Sequence, residues 1–217
     1  MGFGGQDGLV GALAVQAMRG LAELSDWLGN ETGAAKYRAL HQRGVSAYNR
    51  LLWDEERGGF GDWIDTAGRR RFYLYTWNNL NTINPHAGIA NATQAASIMA
   101  KVAAGYKTLQ RNFSVPPEQT FCTPTNFMPA DAADLAEDGK GGPQTPYPAY
   151  ENGACFMLHT GLELAALGVT GDPDAAFDRF MLSMAKFNET QLWSQNIRWD
   201  LGSPTSPPVT GGDISQV

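Results

Sequence analysis

The sequence predicts a mainly α-helical chain of αα-hairpins, with short β-hairpins confined to the connections between them. Three observations lead there. Apolar residues recur at spacings of three and four over long stretches, notably residues 7–28, 90–109 and 152–187. The links inside paired stretches are brief and marked by Gly, Asn or Pro, as at Gly29-Asn30 and Gly171-Asp172-Pro173. Between the pairs lie turn-rich segments whose aromatic and polar residues alternate as in short strands. With 217 residues, 43% of them hydrophobic, the chain can bury one sizeable core, so a single domain over 1–217 is expected, with an irregular tail at 191–217.

The elements follow in order. After Asp7, a candidate cap, residues Leu9, Val10, Leu13, Val15, Ala17, Met18, Leu21, Leu24, Trp27 and Leu28 form the apolar stripe of a long helix. Gly29-Asn30 ends it, and a second helix restarts near Thr32 with Tyr37, Leu40, Val45, Tyr48, Leu51 and Leu52 on its face; so short a link makes an antiparallel hairpin. Asp54-Glu55-Glu56-Arg57-Gly58-Gly59 is turn chemistry, and Phe60, Trp63 and Ile64 read as a short strand. Arg71 to Asn81, dense in aromatics and amides, reads as a strand or loop lining a cavity. Ala90 to Leu109 is a further amphipathic helix, and Asn112 to Ala149 a long irregular connection. A helix is then expected from Asn152 to Leu167, ended by Gly168, and another from Asp174 to about Phe187, forming a second hairpin.

Charge and composition narrow the partners. A formal net charge of −6 and a pI near 5.0 argue against nucleic acid, which needs clustered Lys and Arg; Arg69-Arg70-Arg71 reads as a solvated loop. No run of about 18 apolar residues would span a membrane, and the N-terminus lacks the basic-then-apolar order of a signal peptide. A secretory route is nevertheless indicated by acceptor-type triplets at Asn30, Asn91, Asn112 and Asn188, although Asn91 also suits a helix cap. Cys122 and Cys155 stand far apart without a CxxC or a His at ligand spacing, so they are read as buried small hydrophobes and not as a zinc site or a disulfide. Asp131, Asp134, Glu137 and Asp138 do not follow the calcium-loop pattern and read as a solvated patch; no metal and no cofactor is expected.

Two stretches carry candidate chemistry. In Pro146-Tyr147-Pro148-Ala149-Tyr150-Glu151-Asn152-Gly153, an extended, Pro-interrupted loop delivers Glu151 to the mouth of an apolar helix, where the helix dipole favours an anion. The plain alternative is a cap by Asn152 with Glu151 solvated. In the second stretch Asp62 and Asp65 flank Trp63, the mixture a sugar site uses: an aromatic face packs on a pyranose while acids accept its hydroxyls. The plain alternative there is a hairpin that buries Trp53 and Trp63 and leaves the acids wet. His86 has no second His nearby and reads as structural.

The order of a long αα-hairpin, a Trp53-Asp54-Glu55-Glu56-Arg57-Gly58-Gly59-Phe60 turn, a further helical layer and a Tyr150-Glu151-Asn152-Gly153-Ala154 loop entering a helix with Thr160-Gly161-Leu162-Glu163-Leu164 resembles the (α/α)6 barrel of six-hairpin glycosidases. The resemblance covers roughly residues 7 to 190 and accounts for about half of such a barrel; Ala154 replaces the usual second glycine of the loop. It implies hydrolysis of O-glycosidic bonds by a carboxylate acid/base pair, about 6.5–9.5 Å apart in the inverting geometry. The implied catalytic candidates are Glu151 first, then Asp62 and Asp65, with Trp63, Trp77, Asn78, Tyr150 and Asn152 shaping the sugar subsite. An oligosaccharide or glycoside is the implied substrate. The incomplete barrel implies self-association through exposed helices.

Two other functions compete. A sugar lyase or epimerase on a related toroid would give Tyr73, Tyr75 and His86 the larger part. A non-catalytic hairpin scaffold would bind protein or sugar, but no repeat of fixed period runs through the helical stretches. Convergence of Glu151, Asp62 and Trp63 on one face favours the sugar site over the scaffold.

Overall fold

The structure is a computed structural model that describes residues 5–113, 121–130 and 152–190. Helix α1 (Gly8–Trp27) starts as expected, with the Asp7 carboxylate accepting the Val10 N–H at 2.6 Å. Gly29 takes the left-handed conformation, φ +68°, and Asn30 then caps α2 (Glu31–Leu52) by accepting the Gly33 N–H at 2.9 Å. The two helices approach closely where Gly44 meets Val15; a Cβ there would lie 2.9 Å from the Val15 side chain. The first hairpin is thus the predicted one.

The Asp54–Gly59 turn joins β2 (Trp53–Asp54) to β3 (Gly59–Phe60), with the Trp53 ring edge-on to Phe60 at 5.0 Å. β4 (Trp63–Ile64) pairs antiparallel with β5 (Arg70–Arg71), so the single strand expected over Phe60, Trp63 and Ile64 is divided between two sheets, and the arginine run expected as a solvated loop is in part a strand. The other edge of β4 is taken by β1 (Gln6–Asp7), a partner from the chain's beginning that local patterning does not show.

Elsewhere the elements depart from expectation. The cavity-lining strand or loop expected over residues 71–81 is in large part a helix, α3 (Thr76–Ile83). Its amides disguise it, because they are spent on backbone: Asn79 Oδ1 accepts the Phe60 N–H at 2.9 Å and Asn81 Nδ2 donates to Trp77 O at 2.6 Å. No apolar stripe was available to read, since both faces are buried. α4 (Ala92–Phe113) begins with a reciprocal capping box between Asn91 and Gln94, so this triplet too is a helix start.

The helix expected from Asn152 starts instead at Met157. Residues 155–156 form β7 (Cys155–Phe156), paired with β6 (Thr123–Pro124), and Cys155 is disulfide-bonded to Cys122 with Cα atoms 5.5 Å apart. The reading of both cysteines as unpaired hydrophobes is corrected: their separation of 33 residues hid a contact made by tertiary pairing. α5 (Met157–Thr170) runs past Gly168 and ends at Gly171, whose φ of +86° makes the left-handed cap. Asp172 caps α6 (Pro173–Thr190), accepting the Ala175 N–H at 3.1 Å. The tail expected at 191–217 and the acidic patch at Asp131–Asp138 lie outside the described residues.

α3 packs between α1 and α5; α2 covers α1, α4 covers α3 and α5, and α6 covers α5. The fold is therefore mainly helical, in hairpins, with short antiparallel strand pairs in the connections. Its core gathers Tyr48, Leu52, Phe60, Leu80, Ile98, Val102 and Leu109. Apolar side chains of the row remain open to solvent. Val10, Leu13, Leu24 and Trp27 of α1 and its C-cap Leu28 are exposed, Trp27 at 87%. On α5 the exposed residues include Leu158 and Val169, while His159, Thr160 and Glu163 are buried. Among the described residues no helix is long and apolar enough to cross a membrane.

Candidate active site

Asp62 is held by its backbone before its side chain is considered. Its N–H donates to Arg71 O at 2.8 Å and its carbonyl accepts from Gly8 N at 2.9 Å, fixing it between β5 and the start of α1. The residue is 1% exposed. One carboxylate oxygen accepts the Tyr73 N–H at 2.5 Å, the other accepts the Tyr75 N–H at 3.0 Å, and Asn78 Nδ2 donates to the latter at 3.3 Å. Leu74 lies between the two bonded amides with φ +54°, the one positive value at a non-glycine among the described residues. In extended chain those amides would stand about 6.6 Å apart, too far for one carboxylate; the left-handed residue draws them together. For a residue other than glycine that conformation costs roughly 1–2 kcal/mol.

Burial pushes the Asp62 carboxyl up to about 7, with the nearby Asp7 carboxylate adding to the rise and the Tyr73, Tyr75 and Asn78 hydrogen bonds opposing it. Burial likewise raises Tyr48, which faces Asp62 and Asp7 and donates to Gly8 O at 2.9 Å. Asn78 Oδ1 is buried without a hydrogen-bond partner in the structure.

Asp65 is used differently. One of its oxygens accepts the Ala67 and Arg69 N–H groups, both at 2.9 Å, and the other pairs with Arg69 Nε at 2.8 Å and Arg71 at 3.1 Å. These donors, the Arg69 N–H foremost, hold its carboxyl below the usual range. Asp65 thereby closes the β4–β5 turn.

The aromatics of the two stretches meet. Trp63, 2% exposed, lies against Tyr73 at 5.6 Å and Tyr75 at 6.4 Å. Tyr75 stacks on Trp77 at 5.3 Å with an interplanar angle of 15°, and Trp77 meets His159 at 5.4 Å. Trp77 is half-buried, whereas Trp63 and Tyr75 are wholly inside. His159 is buried and shares a 2.8 Å hydrogen bond between Nδ1 and Thr76 Oγ1; burial lowers its pKa to about 4, so it is neutral at physiological pH. Sequence reasoning missed His159, since its setting comes from Thr76, Trp77 and Phe156 in three dimensions.

Asn152 is not a helix cap. Its Oδ1 accepts Ala130 N at 3.0 Å and Asn126 Nδ2 at 3.2 Å, and Gly153 N donates to Thr125 Oγ1 at 2.8 Å. Asn126 in turn bridges Tyr75, and Thr76 N donates to Thr125 O at 2.7 Å. One run of hydrogen bonds therefore joins Asp62, Tyr75, Asn126 and Asn152, bringing together segments from both candidate stretches. Glu151 and Tyr150 lie outside the described residues. His86 is exposed in the turn after α3, whereas Tyr73 and Tyr75 are buried within this wall. Glu163, from the Thr-Gly-Leu-Glu-Leu stretch, is spent on Tyr106 Oη at 2.6 Å, Thr123 Oγ1 at 2.5 Å and Arg179 at 3.3 Å. Among the described residues no group of His, Cys, Asp and Glu forms a metal cluster.

No family model matches the chain. Over 72 residues, 33% of this chain, it is 33% identical to a trehalase from Oryctolagus cuniculus. The match spans 12% of that protein's length, so the chain corresponds to a small part of it. The similarity is to a glycosidase, at that coarse level.

Proposed function

We propose that this chain contributes part of a glycoside hydrolase cleft that cleaves O-glycosidic bonds, with Glu151 as one member of the carboxylate pair. The observation that carries the reading is the anchoring of Asn152, the residue after Glu151, into the hydrogen-bond run that also holds Tyr75 beside Trp77. The partial similarity to a trehalase points the same way. In this reading Trp77, the half-buried ring between Tyr75 and His159, offers its exposed part to the sugar, while Trp63 and Tyr75 back it. Tyr150 supplies a polar contact, Asn78, buried and bonded to Asp62, backs the wall, and Asn152 sets the loop. Asp62 and Asp65 rank behind Glu151 as acid or base because their oxygens are already engaged by backbone amides and arginines. The second carboxylate need not lie within this chain.

The chemistry asks for one carboxyl group to protonate the leaving oxygen and a carboxylate to activate water from the opposite side. The test is turnover of a panel of disaccharides and aryl glycosides, trehalose among them, by the longest protein containing this chain. Glu151→Gln keeps the shape and removes the charge, so turnover should fall roughly 10²–10⁴-fold while sugar binding survives better. Turnover within a few-fold of wild type would remove Glu151 from the pair. Absence of hydrolysis across the panel, with binding retained, would favour the sugar-binding scaffold.

A further inference from the structure

We propose that Asp62 is a positioning residue, whose carboxylate clamps the left-handed turn at Leu74 and so sets the Tyr75–Trp77 ring stack against His159. Four observations converge on it. The carboxylate is buried and accepts the N–H groups on both sides of Leu74. Leu74 carries a positive φ that no side chain of its type prefers. The next residues after the clamp are those whose rings form the wall: Tyr75 stacks on Trp77, and Trp77 meets His159. Finally, α3 begins at Thr76, directly after the clamped amide, so the turn at Leu74 decides the direction in which the helix leaves and where Trp77 points.

The physical argument is one of compensation. Left alone, Leu74 would relax to negative φ, and the Tyr73 and Tyr75 amides would separate toward strand spacing. Two backbone hydrogen bonds accepted by one carboxyl group oppose that relaxation, and Asn78 from the first turn of α3 donates a third to the same group. From the other side Thr125 O holds the Thr76 N–H, so the turn is gripped at both ends. Hydrogen-bonded conformations of this kind, held against local preference by their surroundings, are characteristic of binding walls. What the wall is for rests on the glycosidase reading. The clamp itself is tested without activity, so the two can fail separately.

The experiment compares Asp62→Asn, Leu74→Gly, Leu74→Ala and the two double variants in near-UV and far-UV circular dichroism. Asp62→Asn should lose more than half of the near-UV signal of the Trp63–Tyr73–Tyr75–Trp77 cluster with the helical far-UV spectrum kept. Adding Leu74→Gly should restore at least half of that loss, because glycine accepts positive φ freely; adding Leu74→Ala should restore none, although it removes the same buried side chain. An unchanged near-UV spectrum in Asp62→Asn, or equal recovery with Gly and Ala, overturns the proposal. If Asp62→Asn does not fold, urea midpoints of the single Leu74 variants decide: Gly above Ala supports a clamped left-handed residue, and Ala equal to or above Gly, the ordinary ranking, overturns it.

Discussion

Asn126 Nδ2 donates to Asn152 Oδ1 across 3.2 Å, and through this bond the chain just after Glu151 is tied to the segment that bridges Tyr75. Residues 26 positions apart thus hold the two candidate stretches in one place. Asn152→Ala would leave the Ala130 N–H without its buried acceptor and Asn126 Nδ2 with Met128 O alone, a loss of about 1–3 kcal/mol. For a chain of this size each kcal/mol lowers Tm by roughly 2–4 °C, which thermal unfolding would register. An unchanged Tm would mean that Asn152 does not anchor the loop.

The buried Asp62 and His159 should pull stability in opposite directions with pH. The folded pKa of Asp62, about 7, is raised from its ordinary value, so its contribution is present below about pH 4 and is lost as pH rises through 7. His159, lowered to about 4, contributes above its ordinary pKa near 6.5 and loses that contribution as pH falls toward 4. Between pH 4 and 6.5 the two nearly cancel. Urea unfolding from pH 4.5 to 7 should therefore show the advantage of wild type over His159→Asn growing with pH, by at most about 1.4 kcal/mol per unit, and the advantage over Asp62→Asn shrinking. Parallel slopes for both variants would refute this assignment.

The Cys122–Cys155 disulfide closes a separation of 33 residues, and such a loop is worth about 3–4 kcal/mol by restricting the unfolded chain. Reductant, or Cys122→Ser with Cys155→Ser, should lower the urea midpoint accordingly and loosen the β6–β7 pair that leads into α5. A midpoint unaffected by reductant would show that the bond contributes nothing to the fold.

The outer side of α1 exposes Val10, Leu13, Leu24, Trp27 and Leu28 together, a face more apolar than a solvated helix normally presents. The isolated chain should associate as its concentration rises, and Leu13→Glu with Leu24→Glu should reduce that association in sedimentation velocity. A wild-type monomer that stays monodisperse to about 100 μM would count against an uncovered flank.

What was legible in the sequence is what local physics decides. The 3.6-residue periodicity marked α1, α2, α4 and α6, and Asp7, Gly29, Asn91 and Pro173 marked their ends, because a cap or a left-handed glycine acts within a few residues of itself. The Trp53–Phe60 hairpin was legible for the same reason. Only the tertiary structure could decide the rest. α3 carries no stripe because its asparagines are satisfied by strands and loops from elsewhere in the chain. β7 takes residues that alone would begin a helix, because β6 and Cys122 reach them across a long connection. Asp62 reads as a sugar-site acid or, more plainly, a wet one; burial between β5, α1 and α3 makes it a fully engaged carboxyl group instead. A residue's type and neighbours set what it can donate or accept, but its dielectric surroundings and its partners come from segments that only folding brings near.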